Sequence, residues 1–101
     1  RKGLDVDLPY VSGVDFILGD SCYPLTLQEA SVLHDWLDES ESPARQELAA
    51  AIRYEATFTR RPTVRLDLDD IAVLRSALCA EYLAELPGLA LIRAALCEQA
   101  A

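Results

Sequence analysis

The stretch Arg65–Leu78, RLDLDDIAVLRSAL, decides how the chain is read, because it says again what Pro24–Leu37, PLTLQEASVLHDWL, has already said. Aligned, Leu25 meets Leu66, Leu27 meets Leu68, Val32 meets Val73, Leu33 meets Leu74 and Leu37 meets Leu78, and the acids Glu29 and Asp70 coincide. Each half reads as a short extended lead-in, an N-cap, an amphipathic helix, a proline-marked break and a second helix. Thr26 and Glu29 have the spacing of a capping box, in which the hydroxyl takes a backbone N–H at the helix start while the carboxylate reaches back. In the second half Asp67 or Asp69 is the cap candidate, since acids in a first turn are favoured by the helix dipole.

Outward from these stretches, AIR at Ala51–Arg53 matches LIR at Leu91–Arg93 after a shift of one residue, so candidate repeat halves run over 14–58 and 63–99. A duplication would make one pseudo-symmetric domain whose lead-in strands pair beside each other. The plainer account is that any two amphipathic helices with leucines at helical spacing align this well, and two copies are too few for a solenoid.

VDFILG at Val14–Gly19 reads as a strand, and TVRLDL from Thr63 alternates as a half-buried strand does. Helices are expected over Leu27–Asp38, Pro43–Ala56, Asp69–Leu86 and Gly88–Glu98, with Ser42–Pro43 and Pro87–Gly88 as boundary signals. Tyr54, Thr57, Phe58 and Thr59 suit strands, so a hairpin turning at Arg61 and Pro62 competes with a helix through about Glu55. The alanines of QELAAAI favour the helix. The fold class expected is α+β and helix-dominated, about four helices with a small two- or three-stranded sheet, an all-α bundle being the alternative.

A chain of 101 residues with 51% hydrophobic content has one core, so a single domain is expected over 1–101. Methionine is absent, which suggests an excised domain or a trimmed protein; Lys2 is the sole lysine and asparagine is missing, a bias of GC-rich bacterial genomes. A net charge of −8 argues against nucleic acid and anionic membranes as partners. No apolar run reaches the length of a membrane span, and RKGLDVDLPY lacks a signal-peptide core. Three cysteines, Cys22, Cys79 and Cys97, form no CxxC and no even framework, so a reducing, cytoplasmic location is expected.

Candidate chemistry is sparse. Gly19-Asp20-Ser21-Cys22 resembles the phosphopantetheine attachment site of acyl carrier proteins, but only a short lead-in precedes the serine and Pro24 follows closely, so a plain turn into the first helix is the reading. Cys22 with His34, the single histidine, makes a poor nucleophile pair in an acidic neighbourhood, and His34 is expected to be a partly exposed surface imidazole. Asp67–Asp70 and Asp5–Asp7 lack the glycine and distal glutamate of a calcium loop, and no zinc signature is present. Arg53, Arg60, Arg61 and Arg65 form the basic cluster, expected to pair with the protein's own acids. Trp36 and Phe16 read as core or interface anchors. No catalytic residue, cofactor or metal is therefore assigned, and the chain is not expected to be an enzyme.

The last two helices are apolar on most sides, so their surface either forms the centre or meets another chain. The leading expectation is a protein–protein interaction or oligomerisation module, homodimeric, meeting its partner through Leu83, Leu86, Leu89, Ile92 and Leu96. The alternative is an acidic inhibitor or immunity-type protein that caps a basic enzyme such as a nuclease, presenting Asp35, Asp38, Glu39 and Glu41.

Overall fold

Buried Val14, Phe16 and Leu18 alternate with half-exposed Gly13, Asp15 and Ile17, which makes β1 (Gly13–Leu18) a strand with one face turned inward. The computed structural model describes residues 13–100. Gly19 reverses the chain with φ at +62°, a value no other residue type adopts among those described, so Gly19 and Asp20 form a II′-type hairpin turn. β2 (Ser21–Thr26) returns antiparallel with Leu18 opposite Ser21 and Val14 opposite Leu25. α1 (Leu27–Asp38) and α2 (Pro43–Phe58) then lead to β3 (Thr63–Arg65), which lies parallel to β1 on its other side, giving the order β2-β1-β3. α3 (Leu68–Ala77), a single turn α4 (Glu81–Ala84) and α5 (Pro87–Ala100) complete a helix-dominated α+β fold.

Val14, Phe16, Leu25 and Val64 of the sheet close against Leu33 and Leu37 of α1, Leu48 and Ile52 of α2, Leu74 of α3 and Ile92 of α5, all buried. None of the helices among the described residues is long and apolar enough to cross a membrane.

Several elements differ from the sequence reading. Ser21–Thr26 is a full strand and not merely a turn and lead-in, and Pro24 is tolerated because β2 is an edge strand, where its missing N–H faces outward and costs no ladder bond. The strands expected at Val14–Gly19 and from Thr63 are β1 and β3 and lie side by side, whereas the segments directly before α1 and α3 in the aligned stretches, in β2 and β3, are kept apart by β1. The hairpin alternative at Arg61 gives way to helix, and α2 runs to Phe58. The expected helix Asp69–Leu86 breaks after Ala77 without a proline or glycine. Its inward positions are Val73, Leu74, Ala77 and Leu78; an unbroken helix would next turn Glu81 and Glu85 toward the core. The break keeps both acids exposed and buries Leu83 instead.

Both helix starts singled out in the sequence are capping boxes. The Thr26 N–H donates to Glu29 Oε1 at 2.9 Å and the Glu29 N–H to Thr26 Oγ1 at 3.1 Å. Asp67 is the cap of α3, its N–H donating to Asp70 Oδ2 at 3.1 Å while its own Oδ1 accepts from the Asp70 N–H at 2.8 Å. Glu29 does more than Asp70: its second oxygen accepts the Gly88 N–H at 2.6 Å, tying the first turn of α5 to that of α1. The approach needs glycine, because a Cβ at position 88 would lie 2.8 Å from both Glu29 Oε1 and Leu25 Cδ2.

Replacing Glu29 with Gln puts an amide N–H₂ against a backbone donor, and Gly88→Ala forces the two helix starts apart; each should cost about 1–3 kcal/mol in urea unfolding. A loss below a few tenths for either would contradict this account of the junction. Partial burial raises the Asp70 carboxyl above its ordinary 3.8, with repulsion from Asp67 and Asp69 adding and the hydrogen bond from the Asp67 N–H opposing. The native state thus holds that proton more tightly than the unfolded chain, and the resulting stability is lost as pH rises through the raised value. Asp70→Asn should therefore gain stability relative to the parent between about pH 3 and about pH 6, whereas parallel pH profiles would refute the shift.

Candidate functional site

α1 carries His34, Asp35 and Asp38, and α2 packs along it so that Arg53 reaches the imidazole. His34 Nε2 lies 3.0 Å from Arg53 Nη1, and Nδ1 lies 3.2 Å from Asp35 Oδ1. A guanidinium can only donate, so Nε2 accepts and Nδ1 carries the hydrogen: the ring is held as the neutral Nδ1–H tautomer. Arg53 Nη1 also sits 3.6 Å from Asp38 Oδ1. The expectation of a surface imidazole is corrected: His34 is 3% exposed. With both nitrogens engaged it acts as a polar rivet between α1 and α2, and Cys22, exposed on the outer side of the sheet, is not joined to it.

A second rivet is Arg45. Its guanidinium lies 4.6 Å from the centre of the Trp36 ring and donates to Ser76 Oγ at 2.6 Å, linking α1, α2 and α3. Beside these contacts Asp38, Pro43, Gln46, Glu47, Ala50 and Arg53 line an open recess of about 490 Å³ over the first half of α2. A smaller cleft of about 240 Å³ between α3 and α5 is lined by Arg75, Leu78, Cys79, Arg93, Leu96 and Cys97. Among the described residues no three His, Cys, Asp or Glu side chains are grouped to hold a metal ion.

The residues expected to form a dimer contact lie elsewhere than at the surface. Leu83, Leu89, Ile92 and Leu96 are fully buried, and Leu86 is half-buried against them. Four such side chains contribute about 1.5–3 kcal/mol each to folding, a sum comparable with the whole stability of a small domain. They are its core, and helical spacing in the sequence gave no sign of this because those helices are apolar on most sides. Of the four acids considered for a basic partner, Asp35 and Asp38 face His34 and Arg53, while Glu39 and Glu41 are exposed. The basic cluster divides: Arg53 turns to α1, and Arg60, Arg61 and Arg65 are exposed and form no ion pair with the described residues. Phe16 is core, Trp36 is half-buried beneath Arg45, and Asp5–Asp7 lie outside the described residues.

The feature that the sequence reading missed is the outward side of α2. Leu48, Ala49, Ile52 and Ala56 face the core, which leaves Glu47, Ala50, Tyr54 and Phe58 in a row on the opposite side. Tyr54 and Phe58 are 61% and 73% exposed, with ring centroids 5.1 Å apart. The signal was their spacing of four, hidden as long as their strand preference counted for more than the helix continuing past Glu55.

No family model matches the chain, and no curated protein and no solved structure matches it either.

Arg53→Met removes the donor to His34 Nε2 and should cost about 1 kcal/mol, because water can reach part of this half-exposed site. Nitrogen-15 NMR should find the Nδ1–H tautomer in the parent and a shift toward the Nε2–H form in the variant; an unchanged tautomer would show that Arg53 does not set it.

Proposed function

We propose that this domain is a protein–protein interaction module that associates with itself. The observation that carries the reading is the Tyr54–Phe58 pair, its rings tilted against each other and exposed on the side of α2 away from the core. Leu68, Tyr82 and Leu91 are exposed as well, but Tyr54 and Phe58 are the exposed pair whose rings lie against each other. Covering each would contribute on the order of 2–3 kcal/mol before the cost of association, enough for a weak dimer. The free cysteines Cys22, Cys79 and Cys97 support a reducing compartment, and the arginine-rich, asparagine-free composition supports a bacterial cytoplasm.

The second reading, an acidic cap for a basic enzyme, draws on exposed Glu39 and Glu41 beside a net charge of −8. It predicts a partner of opposite charge and an association rate that falls steeply with salt.

Light scattering after size exclusion, over a range of protein concentrations, tests the first reading. The mass should rise with concentration from 11.1 kDa toward twice that value, and Tyr54→Ser with Phe58→Ser should stay folded and monomeric. A mass that never leaves the monomer value would overturn self-association.

A further inference from the structure

The outward side of α2 has two unlike halves. Its C-terminal half projects the Tyr54 and Phe58 rings and is followed at once by exposed Arg60 and Arg61. Its N-terminal half bears the open recess of about 490 Å³, with Pro43, Gln46, Glu47 and Ala50 of α2 itself beside Asp38 and Arg53. Exposed Glu41 precedes this half and exposed Glu47 lies within it. One half is therefore a projection with positive charge at its end, and the other a shallow, open recess bordered by Asp38, Glu41 and Glu47, with Arg53 at one side.

A two-fold dimer requires a surface that complements itself, each residue contacting on the partner what that partner residue contacts in return. A knob and a recess on one helix, displaced in opposite directions from its middle, meet that requirement when two copies of the helix pack antiparallel. The spacing agrees: Ala50 and Tyr54 are one turn apart, about 6 Å along the axis, so a two-fold near the middle of α2 sets a ring over the partner's small Ala50. Counted along the axis, the same operation sets the chain after Phe58, with Arg60 and Arg61, near the partner's first turn of α2, between its Glu41 and Glu47. In a chain of net charge −8, which otherwise repels its own copies, these arginines supply the local attraction.

We propose that the partner of this face is a second copy of the chain, with the Tyr54–Phe58 knob of each protomer seated in the other's recess between Asp38 and Glu47, and Arg60 and Arg61 paired with Glu41 and Glu47. This rests on the self-association reading above and adds its geometry. A helix of 16 residues is about 24 Å long, a small contact beside the roughly 800 Å² per partner of a stable interface, so the dimer dissociates on dilution.

Reciprocal charge reversal tests it. One variant carries Arg60→Glu and Arg61→Glu, the other Glu41→Arg and Glu47→Arg; all four positions are exposed, and circular dichroism checks that both variants fold as the parent does. Each alone sets like charges together at both ends of the contact and should dimerise at least about tenfold more weakly than the parent. Mixed in equal amounts, they should recover the parent's dimer, because in the heterodimer every reversed charge meets an opposite one. If the parent is a dimer and either variant dimerises as well as it does, or the mixture fails to recover, the α2 geometry is overturned while self-association stands. A parent that is monomeric at every concentration overturns both.

Discussion

A single buried carboxylate ties α1 to α5. Glu29, 6% exposed, caps α1 with one oxygen and accepts the Gly88 N–H at the start of α5 with the other. Burying a charge costs several kcal/mol unless hydrogen bonds and opposite charge compensate it. Here the compensation is two backbone donors and the positive ends of two helix dipoles converging on one group. A longer side chain than aspartate is needed to span both, and a residue without a Cβ is needed opposite. The pairing of Glu29 with Gly88 is thus a matched requirement between positions 59 residues apart.

The consequences extend through the fold. α5, seated on β2 and α3, helps close the inward face of the sheet, and its Leu89, Ile92 and Leu96 join Val14 and Phe16 in one core. That closure buries one side of the leucine-rich C-terminal helices, while Leu68, Tyr82 and Leu91 stay exposed on them and Tyr54 and Phe58 stay exposed on α2. The polar rivets then fix α2 against its neighbours: His34 to Arg53, and Arg45 to Trp36 and Ser76.

The likeness between the two halves of the sequence has a local meaning whatever its origin. Glu29 and Asp70 are each the third helical residue and close a capping box, Leu33 and Leu74 are each fully buried, and Leu37 and Leu78 each close a helix on the core side. The halves diverge where the tertiary fold makes different demands. Glu29 reaches a second helix while Asp70 remains near solvent, and the second half breaks at Ala77 to keep Glu81 and Glu85 out of the core.

What the sequence determined by itself was whatever depends on near neighbours. The helix-dominated α+β class, α1 over Leu27–Asp38, the start of α2 at Pro43 and the capping boxes all follow from spacing within a few residues, because helix periodicity and capping act over a single turn. The strand read at Val14–Gly19, observed as Gly13–Leu18, was legible for the same reason. Only the tertiary structure decided that Ser21–Thr26 would pair despite Pro24, that His34 would be buried against Arg53, that Glu29 would meet Gly88, and that Leu83, Leu89, Ile92 and Leu96 would be interior. Nor could the candidate surface be read beforehand, since Tyr54 and Phe58 are marked as outward only by knowing which side of α2 the core occupies. The physical reason is common to all of these: a pattern tells which residues share a face, but which face is covered depends on contacts between segments far apart in the chain.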